Sequence, residues 1–76
     1  MREFNLEEAK AGAVLCTREG GTARIISFNC DSEQPIVALI RDVEEVDKPQ
    51  MEYAEMYYPN GRLLEDEFPY DLMIVD

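Results

Sequence analysis

The chain has 76 residues, with 17 acidic and 7 basic side chains, two cysteines, no histidine and no tryptophan. A chain this short holds one hydrophobic core and excludes a second domain. The formal charge of −10 argues against direct binding to nucleic acid or anionic lipid, and no apolar run is long enough to cross a membrane as a helix.

The first predicted element is a short helix. Asn5 is a good N-cap, and Glu8 three residues later completes a capping-box-like pattern. Phe4 at N′ is placed to pack on Ala9, and Gly12 stands where a helix ends. A helix this short needs a docking surface.

Strands follow. Ala13–Thr17 and Thr22–Phe28 flank Arg18-Glu19-Gly20-Gly21, a hairpin turn in which two glycines would supply positive φ. Asn29–Gln34 is polar and turn-rich. Pro35 opens Ile36–Arg41, which is apolar without alternation and is expected to be buried on both faces. Asp42–Gln50 reads as an acidic loop. Met51–Tyr58 reads as a strand of unclear phase, with a bulge or an edge position expected. A helix is the competing reading there. The turn at Pro59-Asn60-Gly61 favours the strand, with Arg62–Leu64 beginning its partner. Glu65–Glu67 is a second acidic loop, and Asp71–Val75 is the last strand.

Short strands with turns every 8–12 residues or so predict a mainly β fold. The expected architecture is a short N-terminal helix packed on a strongly bent five- or six-stranded antiparallel sheet, an SH3-like small barrel. The expected core is Leu6, Val14, Ile25, Val37, Leu39, Met56, Leu64, Leu72 and Ile74.

The order of motifs resembles a known family. A helix ending in glycine precedes CTREG (Cys16–Gly20) and Ala23-Arg24-Ile25-Ile26, then PIVALI (Pro35–Ile40), the YPNGR turn (Tyr58–Arg62) and a closing Asp71-Leu72-Met73. This pattern resembles a family of small uncharacterised bacterial proteins, common in Bacteroides-type gut bacteria and their phage-like elements. The resemblance implies a compact β-rich domain and carries no functional residues. One departure is Met51–Met56, which is longer and more acidic than the family pattern.

The chemistry is mostly exclusion. Without histidine, no Ser–His or Cys–His nucleophile exists, so no enzyme and no catalytic residue is expected. Cys16 reads as a small core residue, and Cys30 has no basic neighbour to activate it. Two cysteines and no histidine cannot build a zinc site. The acidic loop at Asp42, Glu44, Glu45 and Asp47 lacks the glycine and spacing of a calcium loop. No cofactor and no metal are therefore expected. The N-terminal MREFNLEEAK has no apolar leader character, so the expected location is cytoplasmic, with reduced thiols.

The charge is uneven. Residues 1–38 carry four basic and six acidic side chains, and residues 39–76 carry three and eleven. The partner surface is expected at Met51, Tyr53, Glu55 and Tyr57, flanked by Glu44, Glu45 and Asp47, because tyrosine and methionine are enriched at interfaces. The alternative for these tyrosines is a place in the core. The expected function is a non-enzymatic interaction module with a protein partner. A homodimer through an edge strand is an open alternative for the partner. An acidic nucleic-acid mimic that blocks a DNA- or RNA-binding protein is the second reading.

Overall fold

Asn5 starts the first helix as its side chain dictates. Its Oδ1 accepts the Glu8 N–H at 3.0 Å, which satisfies one orphan donor of the first turn. In the computed structural model, which describes residues 1–43 and 51–76, helix α1 spans Leu6–Lys10. Its last carbonyls are taken up by Ala11, Gly12 and Ala13, whose N–H groups donate back to Glu7, Glu8 and Ala9. The reciprocal half of the capping box is not made. The Glu8 carboxylate instead grips the Arg2 guanidinium through two bonds of 2.6 and 2.7 Å.

Six strands form one antiparallel sheet in the order β1-β6-β2-β3-β4-β5. They are β1 (Arg2–Glu3), β2 (Leu15–Thr17), β3 (Thr22–Ser27), β4 (Ile36–Arg41), β5 (Tyr53–Tyr57) and β6 (Leu72–Ile74). Among the described residues, no helix is long and apolar enough to cross a membrane.

The sheet is mainly β with a short helix, as expected, but it is neither closed nor strongly curled. The SH3-like barrel is therefore corrected to an open sheet. Two features keep it open. Three strands on one side are only two or three residues long. The expected partner of β5 at Arg62–Leu64 is not a strand: Tyr58 N–H donates to the Arg62 carbonyl at 2.9 Å, but the next donor, Leu63 N–H, is turned to the Asp71 carboxylate. The two-residue strand β1 was not anticipated at all. It pairs with β6, Arg2 opposite Ile74.

Residues paired across strands share a face of the sheet. The inner face carries Ile36, Ala38 and Ile40 of β4, all at most 1% exposed, with Tyr57 of β5 and Leu72 and Ile74 of β6. Leu6 packs on the Ile36–Tyr57–Leu72 cluster and Phe4 bridges it to Ala9, Leu15 and Ile74. Strand β4 thus alternates rather than being buried on both faces. Val37, Leu39 and Met56, expected in the core, face the other side and are half-buried. Val14 and Leu64, also expected there, are 67% and 54% exposed. An all-apolar strand carries no phase in its sequence, and only its pairing fixes which side turns inward.

Two glycines hold tight approaches. In the β2–β3 hairpin, only Gly20 takes positive φ. Gly21 is there for space: a Cβ would lie 2.6 Å from the Arg41 carbonyl, and its N–H donates to Thr17 Oγ1 at 2.8 Å. Gly61 closes the Tyr58–Gly61 turn with φ +83° and lies directly under the Phe4 ring, where a Cβ would come within 2.5 Å. Gly61→Ala therefore combines left-handed strain with a clash, and is expected to cost about 2–4 kcal/mol. A fall in the urea midpoint of that size checks it, and an unchanged midpoint contradicts the Phe4 contact.

Candidate interaction surface beside strand β5

Strand β5 is the last strand on its side of the sheet. Its unclear sequence phase is settled by its pairing. Tyr53, Glu55 and Tyr57 lie opposite Ile40, Ala38 and Ile36 on the inner face, while Ala54 and Met56 lie opposite Leu39 and Val37 on the outer face.

The tyrosines act as inward pins. Tyr57 is fully buried, and its hydroxyl donates to the Tyr70 carbonyl at 2.6 Å. It is therefore removed from the expected partner surface, being core. Tyr53 is half-buried and donates to Asp42 Oδ1 at 2.6 Å. Burial pushes both phenols up, aided by Glu55 at Tyr57 and by the Asp42 bond at Tyr53. Glu55 is half-buried, and Met51, just before the strand, is 78% exposed. Glu44, Glu45 and Asp47 lie outside the described residues.

The segment after β5 is shaped by a residue the sequence reading did not single out. Asp71 is fully buried. It accepts from Leu63 N–H at 3.3 Å, from Phe68 N–H at 2.9 Å and from Arg18 Nη2 at 3.2 Å. Arg18 in turn reaches Glu3 at 3.4 Å. A carboxylate wedged between Tyr70 and Leu72, just ahead of an apolar strand, was the available signal. A buried charge there must be satisfied by its surroundings. Gln34 adds a second tie, donating to the Leu63 carbonyl at 2.9 Å.

These bonds set Leu63, Leu64, Phe68 and Tyr70 beside β5 and leave an open groove between them. Ala54, Glu55 and Met56 line its other wall. Three consecutive strand residues can line one groove only along the strand's edge, because neighbours point to opposite faces. Phe68 and Tyr70 meet edge to face, with ring centroids 5.6 Å apart.

The field at this end is negative. Glu19, then Asp42, with burial and Glu55, push the Tyr70 phenol up. Glu55 makes no ion pair among the described residues, whereas Glu8, Glu52 and Asp71 are engaged by Arg2, Arg24 and Arg18. No group of three or more metal-ligating side chains occurs among the described residues. Both cysteines are free. Cys16 is buried, and burial pushes its thiol up, while Cys30 is half-buried.

The fold and this groove define a small mainly β protein: a short helix on an open antiparallel sheet, with one edge strand bordered by an acidic, aromatic loop. The chain belongs to the Haemophilus phage HP1 protein YO09 family, whose model matches residues 1–75. The phage-related, uncharacterised part of the sequence resemblance therefore holds, and the match names a Haemophilus phage rather than a Bacteroides-type source. Searches of curated proteins and of solved structures return no match.

A neutral phenol is favoured in the fold at Tyr53 and Tyr57. Their contribution is fully present below the ordinary value of 10.0 and is lost as pH rises through the raised folded values. In an absorbance titration, these two phenols are expected to ionise together with loss of the sheet signal, and not near pH 10. Tyr57→Phe is expected to cost about 1–2 kcal/mol, since it removes the bond to the half-buried Tyr70 carbonyl. Titration of both phenols at the ordinary value in the folded protein would contradict their burial.

Proposed function

We propose that this chain is a non-enzymatic interaction module, and that the groove beside β5 receives its protein partner. The observation that carries the reading is the edge position of β5, beside a groove that mixes apolar and acidic groups. Edge strands present unpaired backbone groups that invite another chain unless they are covered. The inward tyrosines hold β5 rigid, which lowers the ordering cost of binding. Free thiols at Cys16 and Cys30 suit a reducing, cytoplasmic setting.

A second reading is favoured by the convergence of Glu19, Asp42 and Glu55 on Tyr70. Such a field supports an acidic mimic of nucleic acid that occupies a basic cleft. Salt separates the two readings, because a mimic's binding collapses as ionic strength rises.

The test is affinity capture from host extract at low and high salt, with the natural chain and with Leu64→Ser. Leu64 lines the groove yet is mostly exposed, so its loss spares the core. The module reading expects capture to fall about fivefold or more in the variant with an unchanged melting temperature. Capture that ignores Leu64 and vanishes in high salt supports the mimic and overturns the groove.

A further inference from the structure

We propose that the edge of β5 takes an extended segment of a partner protein as a seventh strand, in which lysine or arginine alternates with apolar residues. This rests on the interaction-module reading and adds the chemistry of the partner.

The alternation follows from the two faces of β5. A residue added opposite Glu55 falls on the side of Tyr53, Tyr57 and the Phe68–Tyr70 pair. A cation there meets a carboxylate that has no ion pair among the described residues, the field of Glu19 and Asp42, and two aromatic rings. The residues on either side of it point to the outer face. There they meet Ala54 and Met56, which continue the apolar row of Leu39 and Val37.

The same geometry disfavours a second copy of this chain. Antiparallel self-pairing centred on β5 sets Glu55 against Glu55, between molecules of formal charge −10 each. Among the described residues, no other strand pairs with the outer edge of β5.

The test titrates the full chain with two end-capped heptapeptides, read by backbone amide resonances. One is Thr-Val-Lys-Val-Lys-Val-Thr, and the other has glutamate in place of lysine. The lysine peptide is expected to shift the amides of Ala54, Glu55 and Met56 and slow their hydrogen exchange. The glutamate peptide is expected to bind about tenfold more weakly or worse. Prolines at two adjacent central positions of the lysine peptide are expected to abolish binding, since one of the two must remove a ladder donor in either register. Glu55→Lys is expected to reverse the preference, and its spectrum reports directly whether it folds. If it does not fold, Glu55→Gln keeps the shape and is expected to narrow the difference between the peptides. Equal binding of both peptides, tolerance of proline, shifts confined elsewhere, or no binding at millimolar peptide each overturn the seventh-strand proposal. In those cases the module reading still stands if capture from host extract depends on Leu64, and falls with the proposal if it does not.

Discussion

The Asp71 carboxylate is the constraint on which the rest of this small domain depends. It sits just before β6, fully buried, and its oxygens are spoken for by two backbone amides and one guanidinium. A carboxylate in such a place is tolerable only when so engaged, and loss of a partner leaves a charge in low dielectric. The amides it recruits belong to Leu63 and Phe68. The bond thereby converts an irregular stretch after β5 into a fixed wall, and it spends the N–H that a seventh hairpin strand would have used. The groove beside β5 rests on that side chain together with Gln34, and the openness of the sheet on it together with the shortness of β1, β2 and β6.

Local signals were legible in the sequence and global ones were not. Asn5, Glu8 and Gly12 announced the helix, since capping needs only neighbours. Ile36–Arg41 was bounded correctly because Pro35 and a run of β-branched residues mark it from both sides. Its facing was not legible. Ile36, Ala38 and Ile40 are as apolar as Val37 and Leu39, so the choice between them was made by partners elsewhere in the chain. The closure of the sheet failed for a similar reason. It depended on whether Leu63 would pair with β5 or bond to a carboxylate eight residues later, and composition does not rank those outcomes.

The candidate site shows the same division. The mixed composition of β5 left a bulge or an edge open, and the strand order makes it the edge. The tyrosines read as a sticky surface, yet Tyr57 seals the inner face while its hydroxyl meets a backbone carbonyl. An amphipathic side chain with one polar atom satisfies core and interface equally well on paper. Leu63 and Leu64, which help complete the groove, carry no functional signature of their own. They matter through position, and position came from Asp71.

The pairing of β1 with β6 has a consequence for how the chain reaches its fold. Arg2 lies opposite Ile74, and Phe4 rests on Gly61. The central strands can pair without the ends of the fold, but β1 has no strand to pair with until β6 exists. These contacts join residues far apart in the chain, and loop-closure entropy must be met before they reward it. On the ribosome, the N-terminal arm and helix therefore wait, and the inner face of β4 stays exposed until synthesis has passed β6.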